Sequence, residues 1–197
     1  MPRTVLVTGF GPFSGVAVNP TQALALALDG RIVRGANVRA LVLEVSFARA
    51  AQQLAQALLA TQPVALLHFG VAAGSTQIRL ESQAVNRITA DRPDIDGACP
   101  ADTCIDPQQP LDTALATCAD LPSLAERLNR RGLPTQISTH AGRYVCNALY
   151  FASLAAQSQA VAPRPCLFVH VPLVDGERWT AERLVDAAEE LIAALAQ

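Results

Sequence analysis

An alternation of two kinds of segment constrains this chain most: short apolar runs of strand character take turns with longer runs of helical period. Residues 4–7, 38–45, 64–69, 135–138 and 166–171 are of the first kind. Between them, Asn19-Pro20 opens one helix: Asn accepts from first-turn amides, and Pro at the first helical position gives up only a donor that would be unpaired. After Ser46, a second cap, Phe47, Ala51, Leu54 and Leu58 recur at the spacing of an inward helix face. Residues 122–131 read as a helix stopped by Gly132-Leu-Pro134, and residues 147–157 as another. Residues 180–195 read as the last, with Leu184, Leu191, Ile192 and Leu195 inward and Trp179 placed to staple onto Leu184. Strands alternating with helices predict an α/β fold, a twisted, mostly parallel sheet with helices on both faces, in a single domain over residues 1–197.

Composition then removes whole classes of function. With 51% hydrophobic and 16% charged residues the chain can bury one substantial core. Its apolar runs are all interrupted well short of the roughly 20 residues that cross a bilayer. The first residues do not resemble a signal peptide, so a cytoplasmic location is expected. A net charge of −2 without a basic stripe argues against nucleic-acid binding. All 15 basic residues are Arg, which excludes Schiff-base lysines and Walker-type phosphate loops. Five cysteines, at 99, 104, 118, 146 and 166, do not make a disulfide framework, although a Cys99–Cys104 pair stays open. His68, His140 and His170 fall on separate elements and the cysteines lack zinc-site spacing, so no metal and no cofactor are expected.

Several residues carry candidate chemistry. Thr8-Gly-Phe-Gly-Pro-Phe-Ser-Gly15 reads as an incomplete dinucleotide loop, as a tight strand-to-helix turn, or as a turn presenting Phe10 and Phe13 as walls of an apolar pocket. Pro12 removes a donor where a phosphate would sit, which favours the last. Thr139-His-Ala-Gly-Arg-Tyr-Val-Cys146 delivers a cysteine to the first turn of an apolar helix, where the helix dipole is expected to lower the thiol pKa. Cys118 and Cys166, inside apolar runs, read instead as small buried hydrophobes. His170 stands near the end of a strand; alone it reads as a core histidine, and only a nearby nucleophile and an orienting acid reverse that. Glu81, inside the strand expected over residues 77–86, is such an acid, though an edge position would explain it equally. Residues 87–111 keep no period and read as a long loop of the sort that forms a lid.

Four segments together resemble the type I pyroglutamyl peptidases: Val7-Thr-Gly-Phe-Gly-Pro-Phe13 with Val18-Asn-Pro20, residues 70–86 around Glu81, Ala141-Gly-Arg-Tyr-Val-Cys-Asn147, and Phe168-Val-His-Val-Pro172. The resemblance implies a cysteine exopeptidase acting on pyroglutamyl peptides, with Cys146 as nucleophile, His170 as proton carrier and Glu81 as its orienter. It further implies that Phe10, Phe13, Tyr144 and Val145 enclose the lactam ring, that amides before the Cys146 helix hold the oxyanion, and that the protein is a homo-oligomer, often a tetramer among relatives. Where many relatives carry a site Arg this chain has Asp91, with Arg92 next; a one-residue shift makes Arg92 the carried-over residue. Position 71, Gln in some relatives, is Val71. Two other readings are a nucleotide-binding module built on the Gly9 loop and a catalytically silent relative.

Overall fold

The computed structural model describes residues 3–13, 15–158 and 163–196, so Ser14 of the glycine loop lies outside the described residues. The chain begins with β1 (Arg3–Phe10), α1 (Pro20–Leu28), β2 (Ile32–Val33), β3 (Ala36–Leu43), α2 (Phe47–Thr61) and β4 (Ala65–Val71). It continues through β5 (Ile78–Glu81), β6 (Gln83–Val85), β7 (Ala114–Ala116), α3 (Leu121–Arg130), β8 (Thr135–Ser138), α4 (Val145–Ser158), β9 (Cys166–Val171) and α5 (Ala181–Leu195). The main sheet has the order β2-β3-β1-β4-β9-β5-β8, parallel through β3, β1, β4 and β9. β2 runs antiparallel to β3, and β5 antiparallel to β9 with β8 parallel to β5. The fold is the α/β class that the alternation predicts, a mostly parallel sheet covered on both faces.

Side-chain alternation on the strands sorts the core into two layers. Val5, Val7, Leu67, Phe69, Ile78, Leu80 and Val169 pack under α1, α3 and α5, while Leu6, Phe10, Leu66 and Phe168 pack under α2 and α4. The helix ends follow their caps. Asn19 Oδ1 accepts from Thr21 N, Ser46 Oγ from Arg49 N, Asp120 Oδ1 from Ser123 N and Thr180 Oγ1 from Arg183 N. Gly132, at φ 71°, closes α3, with Leu133 N donating to Leu128 O and Gly132 N to Asn129 O, a Schellman end. Trp179 and Leu184 lie in the same core layer.

Four expectations are corrected. β1 runs on through Gly9 and Phe10 instead of yielding to a loop at Thr8, because β3 pairs with it as far as Phe10↔Leu43. The strand expected over residues 77–86 breaks at Ser82: Ser82 N donates to Ser138 O, after which the chain leaves the sheet and β6 pairs antiparallel with β7. On α2 it is Ala50, not Ala51, that turns inward with Leu54, since Ala51 falls at the rim of the stripe. Cys118 is exposed, because the chain has left β7 before reaching it. Cys99 and Cys104 are both free thiols.

Within residues 87–111, the stretch 105–110 is tied down from one side chain. Asn86, fully buried, donates through Nδ2 to the carbonyls of Asp106, Gln109 and Pro110 and accepts at Oδ1 from the amides of Ile105 and Asp106. Further along, Asp94 accepts from Phe47 N at 2.9 Å, and Ile95 N donates to Val45 O at 3.1 Å, docking the loop on the start of α2. Among the described residues, no helix is long and apolar enough to cross a membrane.

Candidate active site

After β1 the chain builds β3 on one side and then crosses to β4 on the other, so the carboxyl ends of β1 and β4 bound the crevice where open α/β sheets hold ligands. Here Phe10 ends β1, Val71 ends β4, and α4 starts above them. Phe10, Phe13, Asn19, Val45, Val71, Tyr144, Val145 and Cys146 line one small cavity. Its volume is about 30 Å³, which marks it as a small, mostly apolar site. Arg92 does not line the cavity but packs over two of its aromatic residues. Its guanidinium carbon lies 5.2 Å from the Phe13 ring centre and 5.8 Å from that of Tyr144, with the side chain half exposed. Tyr144 is held edge-on to Phe47 at 5.2 Å and donates from its hydroxyl to Pro93 O at 3.0 Å.

The Gly9 loop serves packing. A side-chain carbon on Gly9 would lie 2.0 Å from the carbonyl oxygen of Thr21, so the glycine is what lets α1 close on β1. Thr21 Oγ1 accepts from Phe10 N, and Asn19 Nδ2 donates to Gly11 O. The loop's backbone groups are thereby turned toward the cap of α1.

Cys146 is the second residue of α4, just after Tyr144, whose carbonyl accepts from Ala148 N. Its neighbour Asn147, fully buried, fixes the helix start by accepting from Val85 N and donating to the carbonyls of Val85 and Arg87. The residue is partly buried at the cavity and its sulfur is desolvated; it lies against Gly70, where an added carbon would be 3.1 Å from Sγ and 2.9 Å from the Phe168 ring. Burial pushes the thiol up to about 12, and the Glu81 carboxylate adds to the rise. The hydrogen bond of its own amide pulls the other way and is the smallest of the three. The expectation of a thiol acidified by the helix start is therefore corrected, because desolvation and a nearby anion outweigh the helix end.

His170 sits at the end of β9, opposite Gly70 in the register with β4, and its ring centre is 4.9 Å from that of Phe168. Glu81 ends β5 and is completely buried. Its Oε1 lies 2.8 Å from His170 Nδ1, so a proton on Nδ1 is held there and the lone pair is left on Nε2. Arg79, two residues earlier and on the same face of β5, places Nε 3.3 Å from that oxygen. Sequence reasoning missed Arg79. The available signal was a cation at period-two spacing from a charged residue inside an apolar strand. It also missed Gly70, Val45 and the anchoring role of Asn147, which only the tertiary contacts display.

A thiol at a helix start, an imidazole whose Nδ1 is bound to a buried carboxylate, and a small apolar cavity at the sheet's switch point define an α/β cysteine peptidase. The family model for pyroglutamyl peptidases matches residues 3–183, and the chain belongs to that family. It is 38% identical over 170 residues to the pyrrolidone-carboxylate peptidase of Pyrococcus furiosus, covering 86% of this chain and 81% of that one. Against the solved structure of pyrrolidone carboxyl peptidase from Thermococcus litoralis, the TM-score is 0.93 at 30% identity, covering 98% of this chain and 93% of that one. Pyroglutamyl peptidase I of Bacillus amyloliquefaciens gives 0.92 at 26% identity, covering 98% and 97%.

Proposed function

We propose that this chain hydrolyses the bond after an N-terminal pyroglutamyl residue, with Cys146 as nucleophile, His170 as general base and acid, and Glu81 as the orienter of the imidazole. The observation that carries the reading is the 2.8 Å contact between His170 Nδ1 and the buried Glu81 carboxylate beside an enclosed cysteine sulfur. Because the resting thiol is held protonated, the proton leaves as the sulfur attacks: Sγ–H gives it to His170 Nε2 while the S–C bond forms at the pyroglutamyl carbonyl. Glu81 balances the imidazolium so formed. The imidazolium then protonates the departing amine, leaving a thioester. Water, deprotonated by His170, cleaves the thioester and releases pyroglutamate and the thiol. Amides ahead of α4 are the candidates to hold the oxyanion. Phe10, Phe13, Tyr144 and Val145 enclose the lactam, and Arg92 closes over it.

Release of a chromogenic amine from a pyroglutamyl amide tests this directly. Cys146→Ser should abolish release and Cys166→Ser should retain it; the reverse pattern would remove Cys146 as nucleophile.

We further propose that the chain works as a homo-oligomer in the cytoplasm. An apolar cavity of about 450 Å³ opens between α1 and α5, bordered by the exposed side chains of Val18, Leu173 and Val174. Sedimentation analysis should find an assembly larger than one chain, and cell fractionation should place it with cytoplasmic markers.

A further inference from the structure

Arg79 does not line the cavity, yet it reaches the deepest part of the site. Its Nε stands 3.3 Å from Glu81 Oε1, the oxygen that also contacts His170 Nδ1. That contact lacks hydrogen-bond alignment, so it acts through charge. The far end of the guanidinium is anchored: Nη2 donates to Ser138 Oγ at 2.7 Å and to the carbonyl of His140 at 2.8 Å. Both anchors belong to the stretch that runs from β8 to Cys146. In the sheet, Arg79 lies opposite His170. One side chain thus joins the acid to the segment that carries the thiol.

Chemistry gives this contact a purpose. A carboxylate with no solvent exposure is costly unless a charge partner accompanies it, and a neutral imidazole supplies a hydrogen bond but no charge. Glu81 Oε2 has no hydrogen-bond partner among the described residues, so the carboxylate has little else to hold its angle. We propose that Arg79 is a positioning residue: its charge accompanies the buried Glu81 carboxylate, and its anchored guanidinium fixes that carboxylate against His170 so that Nε2 faces the thiol. The proposal rests on the hydrolase reading above. A purely structural tie between β5 and β8 is the alternative.

Kinetics on a pyroglutamyl amide, joined to NMR, separate the two. Arg79→Gln should lower kcat on the order of tenfold to a hundredfold while KM stays within about twofold. Arg79→Lys, which restores charge without the fork, should recover part of that loss. The low-field ring N–H resonance of His170, assigned by its disappearance in His170→Ala, should move or vanish in Arg79→Gln. A kcat within about twofold of the parent, a loss carried by KM, a lysine variant no better than glutamine, or an unmoved resonance would each overturn the proposal. Should Arg79→Gln fail to fold, Ser138→Ala, which frees only the anchor, must lower kcat without changing KM or the proposal falls. The resonance needs no turnover. If the parent chain released no amine, the activity reading would fail, and the NMR shift would still decide whether Arg79 holds the imidazole.

Discussion

At the scale of single residues, the site turns on a contest that sequence reasoning decided the wrong way. A helix start lowers a thiol pKa through its amides, but Cys146 is also enclosed by protein and faces the charge of Glu81, and these two effects win. The sign is testable. A thiol whose pKa is raised to about 12 remains mostly protonated throughout the neutral range, so its reactivity should climb about tenfold per pH unit well beyond pH 9. In a His170→Ala background, where no imidazole assists, the rate of Cys146 alkylation by iodoacetamide measured from pH 7 to 10 should rise without levelling. A plateau near neutrality would mean that the helix end dominates after all. The same residue bears on stability. The raised thiol contributes stability that is full below the ordinary thiol value near 9 and is lost as pH rises toward 12.

At the scale of elements, what was legible was what depends on neighbours in sequence. Asn19, Ser46 and Thr180 cap within three residues of themselves, and Gly132 stops α3 through its own backbone, so their helix ends could be read locally. Gly9 was legible as a turn residue but not in its purpose, which is the approach of α1. Replacing it by Ala drives a methyl into the Thr21 carbonyl and should cost about 3 kcal/mol, read as a lower urea midpoint. The break in the expected strand over residues 77–86 was hidden, because it is fixed by the Ser82–Ser138 hydrogen bond from a strand more than 50 residues later. Asn86 belongs to the same class. Its five hydrogen bonds hold residues 105–110, so Asn86→Ala should lower stability by about 3 kcal/mol. Limited proteolysis should then cut first within residues 87–111. If the loop stays as resistant as in the parent chain, the loop has other anchors of equal strength.

At the scale of the whole molecule, the central strands carry a group whose protonation is coupled to folding. His68 lies fully buried in β4, accepts or donates at Nδ1 with Thr8 Oγ1 at 2.8 Å, and has no partner at Nε2 among the described residues. Burial lowers its pKa from 6.5 to about 3. The folded protein therefore binds fewer protons than the unfolded chain between those values. Its contribution to stability is full above pH 6.5 and is lost as pH falls toward 3. His68→Phe should make the acid limb of urea stability shallower by up to about one proton, roughly 1.4 kcal/mol per pH unit. An unchanged limb would place acid sensitivity elsewhere.

Taken alone, the sequence determined the alternation that makes an α/β sheet, the capped helix ends, and the residue types able to do thiol chemistry, because each is written in period, in cap residues or in side-chain identity. Tertiary structure alone decided that β5 runs against β9, that Glu81 is enclosed with His170 and Arg79, and that Cys146 is desolvated. The physical reason is that hydrogen-bond pairing, desolvation and charge act through space, and Glu81 and His170 meet although they stand 89 positions apart in the chain.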